Sequence, residues 1–241
     1  MPREGRIGKR GDLPMAYQAG GQRSVPQAVP DTLEAQEAQA YLHDYATLLE
    51  AVSFPSVVLD HRWDVILTNS AFRALFGAVG PHPTAMPGDN FLRFVLFHPD
   101  AATVLGDHEA GWCLPMLAHF AAAVERHAQD GGLQSIRRDI AQDPIMDAAY
   151  RHGLPHWLRT VGPEAVQRDG AVRPLVHPDP RWGATDCRVI DETPDTLRDL
   201  GYTRMTLVLR EAGRPSDTHR RSRRPRRTTA SHLSVVPSPH Q

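Results

Sequence analysis

Between Phe54 and Phe72 the apolar residues follow two different periods in turn. Val57 and Leu59 share one face of a short run, and Trp63, Val65 and Leu67 alternate with Asp64, Ile66 and Thr68. A period of two marks half-buried strands, and the polar Asp60-His61-Arg62 break between them predicts a hairpin. Asn69 comes next, a residue whose side-chain carbonyl accepts a bond from a free amide in the first turn of a helix. Ala71, Phe72, Leu75 and Phe76 then recur at helical spacing. Strand, tight turn, strand and capped helix are the predicted order.

On the N-terminal side, Tyr41, Leu42, Tyr45, Leu48, Leu49 and Val52 lie on one face of a helix, opened by Asp31 or Thr32 and stopped by Pro55. After a loop over Gly77–Gly88, the run Asn90 to Phe97 predicts a short helix capped by Asp89 or Asn90. A longer helix is predicted over Trp112–Gln129, with Met116, Leu117, Phe120, Ala121 and Val124 as its buried stripe. Another is predicted over Asp143–His152, with a short one near Trp157. Val172–Val176, Thr185–Ile190 and Thr203–Arg210 read as strands. Two strands, a helical block and three strands predict an α+β domain with an antiparallel sheet.

Composition changes this picture at the ends. Residues 1–30 are rich in Gly, Pro, Arg and Gln without periodicity and read as a disordered segment. The folded domain is expected over 31–212, followed by a basic disordered tail over 213–241. The formal net charge of the 241-residue chain is −1, but both ends are basic, so the middle is acidic. Cys113 and Cys187 offer neither a disulfide framework nor a metal-ligand spacing. No secretory signal and no apolar run long enough for a membrane span are evident, which points to a cytoplasmic protein.

The order of these motifs is that of a known family. Phe54-Pro55, Val57-Val58-Leu59 and Trp63-Asp64-Val65-Ile66-Leu67-Thr68-Asn69 are followed by Asn90-Phe-Leu-Arg93-Phe94, Phe97-His98-Pro99, Trp112 and His177-Pro178. The region from Tyr45 to Arg210 resembles the ligand-binding domain of MmyB-like transcriptional regulators, actinobacterial relatives of the XRE class. The resemblance implies a PAS-like fold, with a five-stranded antiparallel sheet covered by a helical block and a pocket between them for a small hydrophobic, fatty-acid-like ligand. Members of the family carry an N-terminal helix-turn-helix; the short segment before Tyr41 is too small for one. Tyr150 to Trp157 also departs from the family pattern.

If such a pocket exists, its walls come from Val65, Leu67, Phe94, Phe97, Trp112, Met116, Phe120, Trp157, Met205 and Leu207, since apolar pockets and apolar cores use the same residue types. The competing reading is that these side chains fill the space themselves and the domain is a protein–protein interaction module. In either case the Tyr41–Val52 helix is the expected contact for a second copy or a partner regulator. Arg220, Arg221, Arg223, Arg224, Arg226 and Arg227 form a cationic run suited to non-specific nucleic-acid contact, with a solvated tail as the plainer alternative.

Motifs for chemistry are few. His82, His98 and His177 each precede a proline and read as turn formers. His119 and His127 are eight residues apart on one helix, about 12 Å along it, too far to share one ion. His119 alone is a candidate axial haem ligand, against the plainer reading of a core or surface histidine. No nucleophile elbow, phosphate loop or paired cysteine motif occurs. No enzyme, no metal and no cofactor is expected; an enzyme would need carboxylates and histidines brought together only by the fold.

Overall fold

The structure, a computed structural model, describes residues 33–162 and 167–210. Both predicted disordered ends and the arginine run 220–227 lie outside the described residues. The chain divides into two units, 1–40 and 41–241. Of the first, the structure describes the opening turns of helix α1 (Leu33–Glu50). Everything below concerns the second.

Strands β1 (Ser56–Leu59), β2 (Val65–Thr68), β3 (Val172–Val176), β4 (Ala184–Ile190) and β5 (Thr203–Leu209) form one antiparallel sheet in the order β2-β1-β5-β4-β3. The α+β expectation holds. One face carries Val57, Leu59, Leu175, Cys187, Val189, Met205 and Leu207 into the main core under the helices. The other face carries Val58 and Leu67, covered by Tyr41, Tyr45 and Leu49 of α1 and by Leu197 of α9 (Asp195–Asp199).

The predicted alternation of the hairpin breaks at two points. Val58 pairs with Leu67 but Leu59 pairs with Val65, so Ile66 is the extra residue of a β-bulge. A bulge re-aims the residues beyond it, and Leu67 therefore lies on the face opposite Val65 rather than beside it. Trp63 is not a strand residue either. It closes the turn with a left-handed φ of 64° and is buried.

The helical block contains α2 (Ser70–Leu75), α3 (Phe91–Phe97), α4 (Ala101–Val104), α5 (Leu114–Arg126), α6 (Gly131–Gln142), α7 (Pro144–Ala148) and α8 (Leu154–Val161). The long helix predicted from Trp112 starts instead as a π-helical turn over His108–Cys113, and a second π turn spans Ala149–Gly153. Each is followed directly by Leu-Pro, at Pro115 and Pro155. A proline ring clashes with the carbonyl four residues back and has no N–H to offer it; widening the preceding turn lets each helix continue. Helix α6 was not anticipated. Its stripe of Leu133, Ile136 and Ile140 is buried, but Gly131-Gly132 at its start masks the helical pattern.

Three helix caps grip the hairpin. Asn69 Oδ1 accepts the amides of Phe72 (2.9 Å) and Ser56 (3.0 Å), while its Nδ2 donates to the carbonyls of Val52 and Phe54 at 2.8 Å each. Asn90 Oδ1 accepts the Arg93 amide and its Nδ2 donates to Arg62 O and Asp64 Oδ1. Asp130 caps α6 through the Leu133 amide and pairs with His61 and Arg62. The three His-Pro pairs are turns, as expected: Nδ1 of His82, His98 and His177 accepts the amide two residues on, from Thr84, Asp100 and Asp179.

Asn69→Ala should lower unfolding free energy by about 2–4 kcal/mol, because two carbonyls and two amides lose their buried partner at once. Asn69→Asp, which turns an acceptor toward the Val52 and Phe54 carbonyls, should cost at least as much at neutral pH. Urea denaturation of both variants checks this; a loss under about 1 kcal/mol for Asn69→Ala contradicts the role of this cap.

Candidate ligand-binding site

Of the ten apolar residues predicted to wall a pocket, Phe97 alone lines either of the two cavities found among the described residues. Phe94, Trp112, Met116, Phe120, Met205 and Leu207 are buried in the main core, and Val65 and Trp157 pack half-buried against it. Ring contacts close the space between several aromatics: Phe91 meets Trp112 edge-on at 6.4 Å, and Phe76 meets Phe94 at 5.1 Å. Leu67 is across the sheet, for the reason given by the bulge. Phe97 lies at an open cleft of about 670 Å³ beside Arg93, Asp139 and the exposed Ile145.

A second, more enclosed cavity of about 470 Å³ opens elsewhere, at the end of the sheet beside α5. The hairpin turn contributes Asp60, His61 and Trp63. Helix α5 contributes His119, Ala123 and Arg126, and His127 follows at its end. The opposite wall is Gln167, Arg168 and Asp169 before β3, with Asp191 and Thr203 from the β4 and β5 ends. Five separate parts of the chain thus converge on one space.

Local structure fixes most of these groups. Asp60 Oδ1 accepts the amides of Arg62 (2.8 Å) and Asp64 (2.9 Å), an Asx-type turn that shapes the hairpin. Asp169 Oδ1 accepts the Asp191 amide at 2.9 Å, and Asp191 pairs with Arg168. The His61 and His127 rings sit 4.9 Å apart. His119 is different. Its Nε2 is buried without a hydrogen-bond partner. Burial, with Arg168, Arg173 and Arg126 nearby, pushes the imidazole down to about 4 against an opposing pull from Asp191. At neutral pH the ring is uncharged.

Behind this wall Arg173 is buried on β3 with its guanidinium 5.6 Å over the Trp112 ring, and it donates to Gly111 O. Burial lowers its pKa to about 10, so it keeps its charge. Opposite it in the sheet, burial pushes the Cys187 thiol up to about 12, and the same effect raises Cys113 to about 12. Both cysteines are free, buried and poorly nucleophilic. No cluster of three metal-ligating side chains occurs among the described residues, and none of their helices is long and apolar enough to cross a membrane.

Sequence reasoning singled out His61, Trp63, His119 and His127 but not their meeting. The first two belonged to a hairpin and the others to a helix, and nothing in their spacing links them. Arg168, Asp169 and Asp191 lacked any motif.

Residues 43–156 match the family model of the MmyB-like transcription regulator ligand binding domain. The match takes in the hairpin, Asn69, Asn90 and Trp112 motifs on which the resemblance rests, and His177-Pro178 lies beyond it. No curated protein matches the chain. The matched stretch holds the hairpin and α5 walls of the cavity; the arginine and aspartates of the opposite wall lie beyond it.

Because His119 is held neutral, the unfolded chain binds one more proton than the folded one between its ordinary value of 6.5 and about 4. Stability should therefore fall as pH drops through that window. His119→Leu should remove about 1–3 kcal/mol of this fall. Denaturation curves of both proteins at pH 7 and pH 4 measure it; equal falls would show that His119 carries no such penalty.

Proposed function

We propose that this chain is a small-molecule sensor of the MmyB-like regulator type, and that its ligand occupies the cavity between the hairpin turn and α5. One observation carries the reading: a partly enclosed space of about 470 Å³ takes two of its walls, the hairpin turn and α5, from the stretch that matches a regulator ligand-binding domain. That volume falls in the usual range of small-molecule sites. A fatty-acid-like ligand, as the family resemblance implies, has its support in the large apolar core under the sheet. It would require those packed side chains to part.

Readout through α1 follows from its attachment. Glu50 at its end accepts the Ser70 amide at 2.8 Å and pairs with Arg73 of α2 at 2.6 Å, so the helix is tied to the same junction that Asn69 organises. The stripe of Tyr41, Tyr45 and Leu49 is used inside the chain, but Leu48 points outward at 65% exposure. A contact with a second copy or a partner regulator would use that outer side. The ligand reading is independent of it.

Ala123 is buried and lines the cavity, so Ala123→Trp should fill the space. A broad metabolite and fragment collection screened by thermal shift should stabilise the wild-type protein and fail to stabilise Ala123→Trp. If no compound distinguishes the two, the cavity is not a ligand site.

A further inference from the structure

We infer that residues 41–50 of α1 form a releasable strap, pivoted at Val52 and resting on the outer face of the sheet over Arg204, that leaves this face while the core stays folded. The inference concerns the fold itself and holds whether or not the cavity takes a ligand.

The first support is how little holds the strap along its length. Tyr45 and Leu49 are its buried side chains, and Tyr41 and Leu42 pack half-buried on the same small cluster with Val58, Leu197 and Tyr202. His43, Asp44, Thr47, Leu48 and Glu50 are exposed. This cluster is separate from the main core, which lies under the other face of the sheet. Release of the strap therefore uncovers the small cluster and leaves the large one closed.

The second support is an unmet donor beneath it. Arg204 of β5 stands opposite Val58 of β1, and its Nε is buried without a hydrogen-bond partner. Its Nη1 meets the Tyr45 hydroxyl at 3.5 Å, the long limit of a hydrogen bond. Arg204 joins no ion pair among the described residues. A buried donor without an acceptor raises the free energy of the state that buries it, and water satisfies that donor once the helix lifts. The docked helix thus gains apolar contact and loses the hydration of one guanidinium N–H.

The third support is the pivot. Asn69, fully buried, donates from Nδ2 to Val52 O at 2.8 Å and fixes the chain just after α1. The contacts of Glu50 with the Ser70 amide and with Arg73 lie at the same end of the helix. A helix fixed at its C-terminal end and lightly held beyond it moves as a lever. Its movement bares Val58 and Leu197 together with Tyr45 and Leu49, apolar surface that the docked form hides.

Hydrogen–deuterium exchange of the full chain, with no ligand added, tests this. Amides of residues 41–50 should exchange at least ~10-fold faster than those of β1 and β5, because they open locally rather than with the whole domain. Arg204→Lys places a methylene where Nε stands and keeps the positive charge. It should slow exchange at residues 41–50 by ~5-fold, the effect of removing one unmet donor. Arg204→Met, which removes donor and charge together, should slow it by a similar factor. Fraying of the helix in place would not respond to either variant. The inference is overturned if residues 41–50 exchange no faster than β1 and β5, or if neither variant slows them. Slowing by Arg204→Met alone also overturns it, since the charge and not the buried N–H would then be responsible.

Discussion

The amide of Asn69 holds the fold together. Fully buried, it uses both lone-pair directions of Oδ1 and both hydrogens of Nδ2, joining the end of the α1 segment, the start of β1 and the first turn of α2. An aspartate has the acceptors without the donors, and serine reaches too few partners. Only asparagine or glutamine has the full set, and glutamine is a methylene too long for the cap. Asn90 repeats the device one helix later, and Asp130 closes it with charge. The result is that the start of three helices is defined relative to one hairpin of about a dozen residues, and the core beneath them follows from that frame.

A second joint fixes the far edge of the sheet. Pro115 cannot donate to the carbonyl of Gly111, four residues back, so that acceptor is left open by the covalent structure of the chain. The buried Arg173 fills it, and in return Trp112 Nε1 donates to Pro174 O at 2.8 Å. Close approach makes this possible: a Cβ on Gly111 would lie 3.1 Å from Gly106 O and 3.3 Å from the Pro174 ring. Pro174 is itself tolerable because β3 is an edge strand and has no second neighbour to receive an N–H. Two prolines and a glycine thus place a permanent positive charge behind the cavity wall.

What could be read from the sequence was local. Strand-like runs, some with a period of two, located the five strands of the described residues, Asn69 and Asn90 announced their helices, and the His-Pro turns were what proline geometry requires. The failures were also local in cause. A one-residue bulge at Ile66 moved Leu67 across the sheet, Leu-Pro pairs converted helix starts into π turns, and two glycines hid α6. The site was less legible than the fold because its walls come from positions as far apart as Asp60 and Thr203. Aromatic residues were the natural candidates for a pocket, yet their fit to one another is what closes the core. The polar residues that bound open space carry no periodic signal.

The cavity and the frame meet at the hairpin turn, and this gives the sensor reading its mechanical content. Trp63 faces the cavity while its carbonyl accepts the Phe91 amide at 3.0 Å, next to the Asn90 cap of α3. His61 lines the same space and pairs with Asp130, the cap of α6. A ligand pressing on the turn therefore acts on the starts of two helices, and one on His119 acts on α5 directly. Coupling needs a ligand that interacts differently with two arrangements of these groups. A ligand that favours or disfavours the left-handed Trp63 would act where the turn meets the α3 cap. Asn69 ties the hairpin to Val52 just after α1, and Glu50 at the end of α1 accepts the Ser70 amide, so turn, caps and α1 belong to one hydrogen-bonded frame.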